Sequence, residues 1–195
     1  SDGNTVAIGA PGNDGNGSGA GHVRVYQNIN GTWTQLGGDI DGEAADDASG
    51  YSVSLSSYGT IVAIGAYGND GNGSDAGHVR VYQYTSPNWT QLGLDIDGEA
   101  ASDLSGHSVS LSSDGTIVAI GAFANDGNGS DAGHVRVYQN FSGTWTQLGG
   151  DIDGENANDW SGNSVSLSSD GTIVAIGANN NDGTASNAGH VRVYE

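Results

Sequence analysis

Three phrases return in this chain every 56 residues, and that interval limits the fold more than any other property. VAIGA begins at Val6, Val62, Val118 and Val174, GHVRVY at Gly21, Gly77, Gly133 and Gly189, and SG-x-SVSLS at Ser49, Ser105 and Ser161. Residues 62–117 and 118–173 are identical at 45 of 56 positions. Units copied this closely stack on one another, each burying a face that it cannot bury alone.

Within one copy the hydrophobic spacing has a period of two. SVSLS places Val53 and Leu55 on one face and serines on the other, IVAIGA is apolar on both faces, and HVRVY alternates again, followed by N/TWTQLG. Gly59, Gly115 and Gly171 mark a tight turn between the first two strands. With 35 Gly, 2 Pro and no long 3.6-residue apolar period, the chain reads as all-β. Four short strands in 56 residues predict a β-propeller of four-stranded blades, about 3.5 repeats in this chain and 14 strands in all. The boundaries expected are a partial blade over 1–48, blades over 49–104 and 105–160, and a partial blade over 161–195. Because the chain opens and closes inside a repeat, it reads as part of a longer array or as one of several self-associating copies.

The 23 acidic residues against four Arg, a formal charge of −19, exclude nucleic acid as a partner. That surface attracts divalent cations and keeps a repetitive β-fold in solution. No apolar run approaches the roughly 20 residues of a membrane helix, so no membrane insertion is expected. Cysteine is absent, so the redox rule has nothing to act on.

The ordered phrases SG-x-SVSLSSDG, VAIGAPG and GHVRVY resemble the FG-GAP repeat of integrin α-subunits and related bacterial and algal surface proteins. Ser49-Gly50 stands where that family has Phe-Gly, Gly9-Ala10-Pro11 is a literal GAP, and the GHVRVY segment from Gly21 to Tyr26 is similar to the family's Gly-x-Val-Tyr-Val-Tyr strand. The resemblance implies an extracellular or cell-surface propeller used for adhesion, with a protein or glycan ligand. The Asp-rich calcium loop that the family carries between strands one and two is missing, since this chain has only Ser-Ser-Asp-Gly-Thr there.

The acidic connector is the strongest candidate for chemistry. DIDGEAADD, DIDGEAASD and DIDGENAND keep acids at positions one, three, five and nine: Asp39, Asp41, Glu43 and Asp47; Asp95, Asp97, Glu99 and Asp103; Asp151, Asp153, Glu155 and Asp159. Alternate carboxylates around a Gly-bearing loop can supply the oxygen-rich shell of calcium, so these twelve are the metal ligands expected. An acidic connector anchored by Ile40, Ile96 and Ile152 is the alternative. The loop NDGNGSDAG and its variants offer a second metal or ligand site at Asp14, Asp70, Asp126 and Asp182, although Asp-Gly there also marks a turn. Glycosylation sequons begin at Asn16, Asn30, Asn72, Asn88, Asn128 and Asn140.

His22, His78, His134 and His190 recur identically, which argues against one asymmetric catalytic cluster; each His and its Arg (Arg24, Arg80, Arg136, Arg192) are expected to bond neighbouring loops or an acid in the next blade. Trp33, Trp89 and Trp145 read as packing between neighbouring blades. The resulting expectation is a non-enzymatic, calcium-stabilised adhesion or ligand-binding module. A carbohydrate-binding lectin and a structural subunit of a surface fibre or layer are the alternatives.

Overall fold

The computed structural model describes residues 3–195. These form four antiparallel sheets in chain order, without a helix among the described residues. The first holds β1 (Thr5–Ala10), β2 (His22–Ile29), β3 (Thr32–Gln35) and β4 (Ile40–Asp41). The second holds β5 (Ser52–Leu55), β6 (Ile61–Ala66), β7 (His78–Thr85), β8 (Asn88–Gln91) and β9 (Ile96–Asp97). The third repeats that pattern as β10 (Ser108–Leu111), β11 (Ile117–Ala122), β12 (His134–Phe141), β13 (Thr144–Gln147) and β14 (Ile152–Asp153), and the fourth holds β15 (Ser161–Leu167), β16 (Val174–Ala178) and β17 (His190–Tyr194).

The strands number 17 rather than the 14 expected, because the acidic connector re-enters the sheet. β8 pairs with the end of β7 and β9 with its beginning, Val79 opposite Ile96 and His78 opposite Asp97. The outer position of a full sheet is therefore one strand broken by a short excursion at Leu92 to Asp95. What reads as a loop carries an apolar anchor, since Ile40 and Ile96 are both buried.

Each sheet packs its strand-three valines on strand two of the next. Val23, Val25 and Ile40 meet Val62 and Ile64; Val79, Val81 and Ile96 meet Val118 and Ile120; Val135 meets Val174 and Ile176. Strand two is the deepest element, as its two-sided apolar pattern requires. Its glycine permits the close approach, for a Cβ at Gly65 would lie 2.0 Å from the Gly106 carbonyl oxygen of the following sheet, and one at Gly121 equally close to that of Gly162. The serines of strand one, half-buried, reach the next sheet. Ser52 Oγ donates to the Gly106 carbonyl at 2.7 Å, and Ser54 Oγ accepts the Leu111 N–H at 3.0 Å, so the polar face of β5 is spent on the next sheet.

Trp89 and Trp145 do seat between sheets, each donating its indole N–H at 2.7 Å to a carbonyl of the preceding one, Leu36 and Leu92. Replacing either with Phe keeps the ring and strands that carbonyl. The expected loss is about 1 kcal/mol in chemical denaturation, and an unchanged midpoint would show that these bonds contribute nothing net.

Candidate functional site: histidine–carboxylate groups at one end of the sheets

At one end of each full sheet strand two finishes, strand three begins and the connector rejoins. Ala66 lies opposite His78, which lies opposite Asp97. The NDGNG loop shares this end: Asn72 Nδ2 donates to the Gly98 and Glu99 carbonyls at 2.8 and 3.1 Å, and Asn16 and Asn128 do the same in their copies. Three of the sequons therefore already use their amide nitrogen in holding the connector, and a glycan there would displace those bonds.

Three groups gather here: His22 with Asp39 and Asp41; His78 with Asp95 and with Glu43 of the preceding connector; His134 with Asp151 and Glu99. In each, one donor atom per residue lies within 4.8 Å of the others. His78 Nδ1 stands 3.8 Å from Asp95 Oδ2, and His134 Nδ1 3.8 Å from Glu99 Oε2, too far for a hydrogen bond and suited to neighbouring donors around one ion. These clusters could hold a metal ion. A fourth pair, His190 and Glu155, stands at 3.7 Å.

The carboxylates are held from behind. Gln91 Nε2 donates to Asp95 Oδ1 at 2.6 Å and Gln147 to Asp151 Oδ1 at 2.7 Å, while Arg80 and Arg136 stand 3.3 and 3.4 Å from Glu43 Oε1 and Glu99 Oε1. In Asp95 and Glu99 one oxygen is thus anchored and the other lies toward the imidazole, an arrangement that orients metal ligands. The first group differs. Arg24 has no preceding sheet to reach, turns to both oxygens of Asp39 at 2.9 and 2.7 Å, and holds that carboxyl at about 2.

Burial pushes the His78 imidazole down to about 4, Arg80 lowers it further, and Asp95 and Asp47 oppose the shift. His134 is lowered by the same causes, burial first and then Arg136. Both are therefore neutral near pH 7, the form that binds metals. Burial also raises the Asp97 carboxyl, with Asp95 beside it adding to the effect.

The four acids of one connector do not surround one point. The first-position Asp joins the group of its own sheet, and the fifth-position Glu crosses to the next sheet's His. Asp41 belongs to the first group, whereas Asp97 and Asp153 stay outside the others. Asp47, Asp103 and Asp159 are buried: Asp103 accepts the Ala100 N–H at 3.0 Å and the Asn125 amide at 3.0 Å, stapling its turn to the following loop. In the second loop Asp70 Oδ1 accepts the Asp75 N–H at 2.8 Å, and Asp14, Asp126 and Asp182 close the same five-residue turn.

The expected contact of each His and Arg with an acid of an adjacent sheet is present at Arg80 and Glu43 and at His134, Arg136 and Glu99, whereas the glutamines behind the carboxylates are not among the expected residues. Their signal was present as Gln four residues before Asp at Gln35, Gln91 and Gln147, each followed by the connector that reaches a His. A second feature lies where the copies differ. Tyr51 meets Tyr67 at 4.6 Å and His107 at 4.9 Å, His107 meets Phe123 at 4.5 Å, and Phe123 meets Trp160 at 5.5 Å between ring centroids. Tyr51 and Tyr67 flank the strand ends that carry His78, so this row sits at the same end.

No family model and no curated protein matches the chain, so the FG-GAP resemblance rests on its motifs alone. Solved structures of similar fold include the periplasmic gluconolactonase of Pseudomonas aeruginosa (TM-score 0.56, 14% identity, 92% of this chain and 48% of that one). Others are a protein of Bacteroides uniformis assigned as a 6-phosphogluconolactonase (0.55, 12%, 89% and 44%) and Kuenenia stuttgartiensis hydrazine synthase (0.58, 12%, 98% and 56%). The chain spans about half the length of these structures. The shared fold is all-β and propeller-like.

The expectation of a non-enzymatic adhesion module, with a lectin or a surface fibre as alternatives, is corrected by these neighbours, two of which are named lactonases. The row from Tyr51 to Trp160 is built from positions at which the copies diverge, so near-identical repeats do not make this end of the sheets symmetric.

Proposed function

We propose that this chain contributes to a divalent-cation-dependent hydrolase acting on an uncharged sugar lactone, in a secreted or periplasmic setting. The observation that carries the reading is the His78 group, in which a neutral buried imidazole and two carboxylates, each anchored by one oxygen, bring donor atoms within 4.8 Å of one another. The likeness to two lactonases, one of them periplasmic, supports the reaction class and the setting. Calcium, expected from the acids alone, prefers an all-oxygen shell. An imidazole nitrogen among the donors favours manganese or zinc. A cation bound there supplies Lewis acidity and an acidified water, the chemistry that opens a cyclic ester.

The chain's own residues do the rest. Gln91 and Arg80 fix the ligand carboxylates, Glu99, His134 and Asp151 repeat the arrangement on the next sheet, and the exposed ring of Tyr51 offers apolar surface to the C–H side of a sugar ring. The formal charge of −19 selects against a phosphorylated lactone.

The test is hydrolysis of glucono-δ-lactone and its 6-phosphate with the chain stripped by chelator and then supplied with manganese, zinc or calcium. Activity is expected on the neutral lactone, restored by manganese or zinc, at least about tenfold weaker on the phosphate and abolished by His78→Gln with His134→Gln. Binding should also raise the melting point, by about 2.7 kcal/mol of stability at a hundredfold excess over the dissociation constant. The absence of both hydrolysis and a cation-dependent shift defeats the reading.

A further inference from the structure

We propose that two copies of this chain pack head to tail, the first sheet of each on the fourth sheet of the other, closing a ring of eight sheets. Inside the chain every apolar core between sheets uses the same two surfaces. Strand-three valines form one, fully buried at Val23, Val25 and Val79 and 1% exposed at Val81, and strand-two residues form the other, with Val62, Ile64, Val118 and Ile120 at 1% or less. Among the described residues the two end sheets carry these surfaces without a partner. On the fourth, Val191 and Val193, which stand 168 residues after Val23 and Val25, are 67% and 65% exposed. On the first, Val6 and Ile8, which stand 56 residues before Val62 and Ile64, are 37% and 51% exposed.

The two open faces are therefore complementary and different from each other. Val6, Ile8, Tyr26 and Trp33 line an open cleft of about 280 Å³ on the first sheet. In the next sheet the equivalents of all four, Val62, Ile64, Tyr82 and Trp89, lie against the strand-three valines of the sheet before. The surface that fills the cleft is thus already built four times in the chain, and its fourth copy, Val191 and Val193, is the one left open. A contact between unlike faces repeats until it closes or runs on as a filament. The chain spans 44% to 56% of the propeller-like chains that it matches, so two copies together present about the length of one of them. The copy continues an interface of established geometry, and it leaves the His–carboxylate groups, which form within one chain, unchanged.

The test is the mass of the 195-residue chain in solution by sedimentation equilibrium, with two blocked variants. The chain should weigh twice its 19.6 kDa at micromolar concentration. Val191→Asp with Val193→Asp blocks one face and Val6→Asp with Ile8→Asp the other, and each variant alone should be monomeric with an unchanged far-ultraviolet spectrum. Mixed, they retain one intact pair of faces and should form a one-to-one dimer. A monomeric parent chain, or a mixture that stays monomeric, overturns the proposal; open-ended polymers of the parent overturn ring closure. The readout is mass, so it stands or falls independently of lactone hydrolysis.

Discussion

Gly65→Ala or Gly121→Ala should cost about 4 kcal/mol or more and lower Tm by roughly 10 °C, the largest single-residue effect expected in this chain. The added Cβ would lie 2.0 Å from a backbone carbonyl oxygen of the next sheet, that of Gly106 or Gly162, and 2.3 to 2.4 Å from the hydroxyl of Ser52 or Ser108. Ordinary contact requires about 3.4 Å, so the two sheets must part by more than 1 Å. Overpacking by a side-chain methylene typically costs about 1 to 3 kcal/mol, because rotamers can relieve it. Here backbone meets backbone, and separation also breaks the bond from Ser52 Oγ to the same Gly106 carbonyl. Gly38 is the control, since a Cβ there meets nothing within 4 Å, and Gly38→Ala should stay within about 0.5 kcal/mol. Urea unfolding of the three variants decides the matter: a cost under 1 kcal/mol at Gly65 would mean that the sheets slide freely past one another.

The same glycines show what the sequence made legible. The 56-residue interval, the period of two and the punctuating turns are local, and they led to the sheets and to the depth of strand two. The glycine of VAIGA and that of the SG phrase also recur, but their meaning is a contact between different copies, such as Gly65 with Gly106, which no local pattern announces. The connector failed in a more instructive way. Its acids were read as one loop around one ion because they are adjacent in sequence, whereas Ile96 pins it to β7 and sends Glu99 across to His134 of the next sheet. Asp103, equally acidic on paper, is consumed by the Ala100 N–H and the Asn125 amide. The histidines were set aside because four equal copies resemble structure, and in part they are structure. Their buried, neutral state was invisible until Arg80 and the valines around them had places.

That buried state predicts a loss of stability in mild acid. For the metal-free chain in chelator, unfolding free energy should be level above pH 6.5 and fall as pH drops toward 4. The unfolded His78 takes its proton at the ordinary value near 6.5, but the folded one resists to about 4. Between those values the unfolded state holds more protons, so stability declines with falling pH, and below 4 this contribution is level again. The shift corresponds to a loss on the order of 3 kcal/mol from His78, and His134, lowered by the same causes, adds to it. The groups facing His78 are Asp95, Asp47 and Glu43, which would welcome its charge, and Arg80, which repels it, and burial outweighs the acids. The most tightly held carboxylates, Asp39 and Asp170, lose their contribution only as pH falls from about 4 toward 2, and Asp97, raised by burial, opposes the decline. His78→Gln with His134→Gln should remove most of the slope between pH 6.5 and 4.5, leaving the part that His107, also lowered by burial, contributes and the decline below it. If the parent chain is equally stable at pH 7 and pH 4.5, both imidazoles accept protons in place, and the neutral donors on which the His–carboxylate groups depend are not there.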